Sequence, residues 1–348
     1  MIINVIHNSD RYHEIEPLLD SHKINPIRGV LDIISAYLRQ DRRSAVLVES
    51  YGRYALLGFL ARFILGGVLI LRVRGSILEV NRDRLRHADT RLERARLRLG
   101  EFIIRVCLKT CDAIAYNSKH VRNKLSPYVG ELAKEKVVYI PFTENRPRVE
   151  STSLDIPNDG FNILTVTNMN FKGKADPTLK AMTRWVSSAF WENYNIRWVA
   201  LGEGRHLETF RHEIRRHGLQ QRVQIPGWVE DPFPYYEWCD VYVHMTRLDG
   251  FPNATMEAMS RFRPVIANVD CCGVREQVFD GRNGYLVHSK NEFEDRLREY
   301  ASQPKKRRKH GQEGHHLVNT RWTIGKQRER MNDLLSRLEE PASSTEAI

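Results

Sequence analysis

Short, nearly unbroken apolar runs recur along the first part of the chain, at 2–7, 45–49, 68–73, 113–117 and 137–140. Between them the apolar positions fall at helical spacing, over 29–39, 55–64, 85–108 and 119–125. Runs of this length without polar alternation suit strands buried on both faces of a parallel sheet, with the intervening helices as its cover. From 143 to 160 the periodicity is lost, and Pro147, Ser151, Ser153, Pro157, Asn158 and Gly160 collect in what reads as a linker. A second series follows, with strands expected at 163–167, 196–200, 223–225, 241–244, 265–267 and 284–287. Its helices are expected at 175–189, 207–217, 255–260 and 274–278. The fold class is therefore α/β, with one domain over 1–145, a linker over 146–160 and a second domain over 161–315. A basic run at 305–309 reads as a solvated break. Beyond it, a closing helical segment over 316–340 carries Trp322, Ile324, Met331, Leu334, Leu335 and Leu338 at helical spacing.

At 348 residues, 41% hydrophobic and 28% charged, the chain is long enough for two ordinary domains and too mixed in composition to be disordered. Its 54 basic and 43 acidic side chains leave a net charge of +11. Much of that excess is local: 81–100 holds seven arginines against three acids, and 305–309 is five consecutive cations. Localised charge points to phosphates or an anionic membrane surface more than to a uniformly basic nucleic-acid binder. Five cysteines form neither a disulfide framework nor a paired zinc knuckle, which favours a reducing compartment and gives no metal site. Residues 2–7 lack the parts of a signal peptide, and the apolar stretch 54–71 is interrupted by Arg62 and Gly66-Gly67. The expected location is cytoplasmic, with peripheral attachment to the inner face of the membrane as a candidate.

The stretch from Arg247 to Ala267 carries the most chemistry. A Gly/Pro/Asn turn follows a strand and opens a helix near Ala254 or Thr255, whose first-turn amides can hold phosphate oxygens. Glu257 lies within that turn and can accept two hydrogen bonds from a ribose diol, while Asp249 can orient a polar ligand across the loop. An acidic side chain in a first helical turn is also favoured on purely structural grounds. Asn168, Asn170, Lys172 and Lys174 follow the first strand of the second domain, and Lys172 is preferred as a phosphate ligand because Gly173 permits close backbone approach. Arg205, after Gly202-Glu203-Gly204, sits on a third loop at the same sheet edge. Arg74-Gly75 ends a strand of the first domain and offers another cation. His7, His22 and His244 read as core or hydrogen-bonded histidines before acid–base groups.

Asp249, seven intervening residues, Glu257-Ala-Met, and Pro264-Val-Ile-Ala together resemble the acidic-pair motif of the retaining GT-B glycosyltransferases of family 4. Asp280-Gly-Arg-Asn-Gly284-Tyr-Leu-Val and Gly227-Trp-Val-Glu-Asp231 are similar to further motifs of that family. Asp249 stands where the family has glutamate, and Thr167-Asn168 stands where it has Gly-Arg. The resemblance implies two Rossmann-like domains with parallel sheets facing across a cleft. It implies that Glu257 binds the nucleotide ribose, Lys172 the diphosphate with Asn170 nearby, and Phe251, Asn253, Ala254 and Thr255 the phosphate and sugar. Asp249 would hold the donor sugar, with Arg205 or Arg74 as helper cations. The implied reaction moves a sugar from a nucleoside diphosphate sugar, a UDP- or GDP-sugar, to a hydroxyl of a glycan, lipid-linked or envelope polysaccharide acceptor, without cofactor or metal. The arginine-rich segment 82–104 is a candidate contact for anionic headgroups or a charged surface helix. A catalytically degenerate nucleotide-sugar-binding scaffold is the alternative, and nucleic acid is disfavoured because no ordered recognition element accompanies the charge.

Overall fold

The computed structural model describes residues 2–6, 16–19, 23–27, 45–48, 53–65, 67–75, 77–142, 154, 156–271 and 273–339. The helix expected over 29–39, and His7 and His22, lie outside the described residues. The chain divides into two compact units, Met1–Pro141 with Trp322–Ile348, and Phe142–Arg321.

In the first unit, β1 (Ile2–Ile6), β2 (Lys23–Ile27), β3 (Ala45–Val48), β4 (Leu69–Val73), β5 (Ala113–Tyr116) and β6 (Lys134–Val137) form a wholly parallel sheet in the order β2-β1-β3-β4-β5-β6. The apolar pattern missed β2 because Pro26 interrupts it; proline lacks the amide a central ladder needs and is tolerated at a sheet edge. Strand β6 ends where the apolar run 137–140 begins, so Val138, Tyr139 and Ile140 are buried beyond the ladder. The covering helices are α1 (Arg53–Leu65), α2 (Ile77–Arg86), α3 (Arg91–Thr110) and α4 (Lys119–Leu125). The single helix expected over 85–108 is two, because Thr90 caps α3 by accepting the Glu93 amide at 3.1 Å. The period-two alternation of the strands sorts their side chains into two cores. Ile6, Val46, Val48, Leu69, Leu71, Ile114 and Tyr116 face α1 to α4, whereas Ile3, Val5, Ala45, Leu47, Ile70, Ala113 and Ala115 face the opposite side.

The second unit contains, in chain order, β7 (Phe161–Val166), α5 (Lys172–Lys180), a π-helical turn (Ala181–Trp185), α6 (Ser188–Asn193), β8 (Ile196–Leu201), α7 (Leu207–Arg216) and β9 (Val223–Gly227). There follow α8 (Phe233–Trp238), β10 (Val241–His244), α9 (Asn253–Ser260), β11 (Val265–Asn268), β12 (Gly284–Val287), α10 (Lys290–Ser302) and α11 (Pro304–Arg321). The helix expected over 175–189 is thus broken at Val186–Ser187, and only a short 3-10 turn, Val274–Glu276, forms in the segment 274–278. The sheet is again wholly parallel, in the order β12-β11-β10-β7-β8-β9. The 305–309 run is not a break but the opening of α11, which Pro304 starts. Lys306 pairs with Glu299, and Arg307 reaches Asp240 at 2.9 Å, so part of the run is neutralised. Helix α11 crosses α9 closely, since a Cβ on Gly314 would sit 3.0 Å from Met259 Cγ, and one on Gly311 would run into the Phe262 carbonyl just after α9.

The last helix, α12 (Ile324–Glu339), belongs to the first unit, and residues 316–321, expected to be part of it, are the end of α11. Its Met331, Leu334 and Leu335 fill the second core of the first sheet. Gln327 Oε1 accepts the Tyr139 amide at 3.1 Å, and Arg328 Nε donates to the Pro17 carbonyl at 2.8 Å.

Candidate active site

The two halves of the second sheet diverge between β7 and β10, because the chain leaves β7 toward β8 on one side and later returns to β10 on the other. Ligands of open parallel sheets bind beyond the carboxyl ends of the strands at such a switch point. Here the loop after β7 and the loop after β10 are joined by an ion pair: Lys174, in the first turn of α5, contacts Asp249 Oδ1. The other carboxylate oxygen accepts Thr246 Oγ1–H at 2.7 Å and lies 3.2 Å from His244 Nε2. On the far side of the ring, Tyr242 OH is 3.1 Å from His244 Nδ1 and donates its own proton to the Val166 carbonyl at 3.3 Å. With that proton on the carbonyl, Tyr242 accepts Nδ1–H while Nε2–H faces the carboxylate, the arrangement that suits an ionised ring.

Both imidazole nitrogens therefore carry hydrogen. Burial opposes a charge on His244, but its hydrogen bonds to Asp249 and Cys271 outweigh burial and raise it to about 9. For Asp249, burial favours the neutral acid, and the charge of Lys174 with the His244 hydrogen bond overcomes it, holding the carboxyl well below its ordinary range. The site thus fixes an anion between two cations at neutral pH. His244, Asp249 and Cys271 also bring a nitrogen, an oxygen and a sulfur within 4.8 Å of one another. Such a donor set can hold a transition metal, but the ligands must be deprotonated. Lys174 shares the same carboxylate through Asp249 Oδ1.

Around this pair, three loops pack tightly at the same edge. Gly204 has φ +143°, and a Cβ there would run into the Asn170 amide and the Met169 carbonyl carbon. Asn170 Oδ1 accepts the Arg205 amide at 3.2 Å, which ties the loop after β8 to the loop after β7. Helix α9 begins at Asn253, and the Pro252 carbonyl before it accepts Gln277 Nε2–H at 3.0 Å. On its first turns, Asn253 Oδ1 and Thr255 Oγ1 are buried with no hydrogen-bond partner among the described residues, and so is Thr167 Oγ1 just after β7. Buried polar atoms are nearly always paired, so these three, all following β7 or β10, lack the partner such atoms usually have. Glu257, one turn into α9, accepts Tyr236 OH at 2.9 Å. Burial first, and the Glu257 charge second, push the Tyr236 phenol well above its usual value, so it remains a donor.

Asp249, Glu257, Lys172, Asn170, Arg205, Phe251, Asn253, Ala254 and Thr255 all lie in the second unit on the loops and helix starts following β7, β8 and β10. Lys172 is the exposed first residue of α5, Arg205 is exposed, and Phe251 is buried. Arg74 belongs to the first unit, after β4, where its carbonyl accepts Asn117 Nδ2–H. The lysine paired with Asp249 is Lys174, a contact the sequence reading does not contain. His244, read as a core or hydrogen-bonded histidine, is buried and lies within bonding distance of Tyr242, Thr246 and Asp249. Thr246 was missed altogether; its spacing of three before Asp249 is the one local signal that marks it.

Two units of parallel sheet and covering helices, with the polar site at the carboxyl ends of the second sheet, define a GT-B-fold protein. Residues 148–316 match the family model described as Glycosyl transferases group 1, so the chain carries a domain of that kind. The poly(glycerol-phosphate) alpha-glucosyltransferase of Bacillus subtilis (strain 168) is 23% identical over 180 residues, 52% of this chain and 26% of that protein. The match thus spans about a quarter of that relative's length. Among solved structures, Anabaena Alr3699/HepE in complex with UDP and glucose superposes with a TM-score of 0.72 at 15% identity, covering 97% of this chain and 100% of that one. Sucrose-phosphate synthase from Thermosynechococcus elongatus gives 0.75 at 14% identity, with 97% and 99% covered. No described helix is long and apolar enough to cross a membrane.

Proposed function

We propose that this protein is a retaining glycosyltransferase of family 4 that moves a sugar from a nucleoside diphosphate sugar to an acceptor hydroxyl, without a resident metal. The three buried, unpartnered polar atoms at the carboxyl end of β7 and the start of α9, Thr167 Oγ1, Asn253 Oδ1 and Thr255 Oγ1, carry the reading. In it the donor diphosphate lies against the first-turn amides of α9, from Asn253, Ala254 and Thr255, with Asn170, Lys172 and Arg205 along the same edge. Glu257, steadied by Tyr236, accepts the ribose hydroxyls. Phe251 and Asp249 flank the donor sugar.

In the reaction, the bond from the anomeric carbon to the β-phosphate oxygen breaks, and a bond to the acceptor oxygen forms on the same face. The acceptor proton passes to the leaving phosphate. Negative charge develops on the diphosphate, where fixed cations and amides stabilise it most in a site closed to water. Asp249 is held by Lys174, Thr246 and His244, so its part is to position sugar hydroxyls and not to attack carbon. The acceptor is a glycan, lipid-linked or envelope polysaccharide hydroxyl, met in the cytoplasm or at its membrane. Relatives and structural neighbours that handle glucosyl groups and UDP support the donor class.

Titration calorimetry of the protein against UDP-, GDP- and ADP-sugars without added metal tests the reading, repeated with Glu257→Ala and Lys172→Ala. Binding of one nucleotide class, lost in both variants, is expected, followed by an α-linked product from an α-linked donor in NMR. Absence of binding to all three donors by folded protein overturns it.

A further inference from the structure

Helix α3 is amphipathic twice over. Its core side carries Leu97, Ile104, Cys107 and Leu108, all buried. On the opposite side Leu92, Ala95, Leu99, Phe102 and Val106 fall in one sector about 80° wide, at 100° per residue, along about 21 Å of helix. These side chains face solvent: Leu92 is 81% exposed, Phe102 64% and Leu99 60%. Arg91 and Arg98 line one edge of the stripe and Arg96 the other, while the acids of the helix, Glu93 and Glu101, turn toward the core side. Helix α1 packs beside α3 through the shared core, and Arg62 Nη2 reaches Asp112, just beyond α3, at 3.0 Å. It adds Phe59, Leu60 and the 84% exposed Phe63.

We propose that this face of the first unit docks onto an anionic lipid bilayer, with the apolar stripe in the headgroup–acyl boundary and the flanking arginines on lipid phosphates. A stripe of this length flanked by cations is the pattern of a helix lying in the interface plane. Charge decides between a bilayer and a second copy of the chain: stripe-to-stripe pairing would set Arg91, Arg96 and Arg98 against one another, with neither acid of α3 on that face. The structure also relocates the surface read from 82–104. Arg82, Arg84 and Arg86 belong to α2, with Arg82 Nη2 3.3 Å from Tyr128 OH, and Ile104 is buried, so the docking face is 91–106 of α3 with the exposed end of α1.

Sedimentation of the full chain with vesicles tests this, using phosphatidylcholine alone and phosphatidylcholine with about one-third phosphatidylglycerol. The chain is expected to pellet with the anionic vesicles and to be released as salt rises. Leu99→Ser with Phe102→Ser, and separately Arg91→Glu with Arg98→Glu, should each lower partitioning roughly a hundredfold. All four side chains are exposed, so the variants should keep the parent urea midpoint; if either unfolds, Phe63→Ser replaces it, with a drop of roughly tenfold. The proposal is overturned if the parent stays in the supernatant, if it binds both vesicle types equally, or if the folded variants bind as the parent does. Light scattering that shows self-association abolished by Leu99→Ser with Phe102→Ser overturns it in favour of a second copy. None of these readouts depends on donor binding by the second unit.

Discussion

Replacing Lys174 by methionine keeps most of the length of the side chain and removes the charge that holds Asp249. The pair is mostly out of water, with side-chain exposures of 19% and 17%. Deleting one member of such a pair strands a buried charge and costs about 3–5 kcal/mol, whereas an exposed pair contributes about 0–1 kcal/mol. Asp249 would still have Thr246 and His244, which places Lys174→Met near the lower end, about 3 kcal/mol. Asp249→Asn leaves Lys174 and His244 as facing cations and should cost a similar amount. In the double variant neither member of the Lys174–Asp249 pair is stranded, and His244 faces no second cation, so the single effects should overshoot the double by about 2 kcal/mol. Urea unfolding followed by tryptophan fluorescence reads this in the right place. Trp185, Trp191, Trp198, Trp228 and Trp238 lie in the second unit, and of the chain's 6 tryptophans only Trp322 lies in the first. A Lys174→Met cost under about 1 kcal/mol, or additivity within about 0.5 kcal/mol, would refute a buried, interdependent ion pair.

Three further outcomes follow from the same geometry. His244 sits at about 9 in the folded protein against an ordinary 6.5, so its contribution to stability is full below pH 6.5 and is lost as pH rises through 9. Asp249 is lowered from 3.8, so its contribution holds above that pH and falls away only in stronger acid. Urea midpoints of the second unit should therefore decline on the alkaline side, and His244→Asn should flatten that decline; unchanged alkaline slopes in the variant would count against the ionised histidine. Tyr236→Phe removes the donor to Glu257 while keeping the ring, and calorimetry should show nucleotide-sugar affinity reduced roughly tenfold with an unchanged fold, as expected for a hydrogen bond to a charged group. Gly204→Ala forces a Cβ into the Asn170 amide at a positive φ, and should destabilise the second unit by more than about 1 kcal/mol in the same urea assay.

Local patterning carried the α/β class and the strands of the second sheet, since β10 and β12 coincide with the apolar runs at 241–244 and 284–287. It failed where local and tertiary signals diverge. Pro26 hid an edge strand, Thr90 divided a helix that hydrophobic spacing alone would continue, and five consecutive cations looked like a break because their acidic partners, Glu299 and Asp240, are distant in sequence or on another element. At the candidate site, the loop from Asp249 to Glu257 was legible because Gly, Pro and Asn before a helix are local turn and cap chemistry. The pairing of Lys174 with Asp249 was not legible, because Lys172 and Lys174 both sit in the first turn of α5 and only the fold decides which meets the carboxylate.

The sequence by itself determined what depends on neighbours a few residues away: strand runs, helix starts and the acidic loop that opens α9. The tertiary structure decided what depends on neighbours far along the chain. Lys174 and Asp249 are 75 positions apart and meet because the sheet order sets β7 beside β10. His244 holds its second proton because the hydrogen bonds to Asp249 and Cys271 outweigh the burial that opposes a charge there. The second face of the first sheet is closed by Met331, Leu334 and Leu335 of α12, after the whole second unit has intervened. Which stripe of α3 is core and which is surface follows in the same way, since burial and ionisation belong to the assembled chain and not to any segment of it.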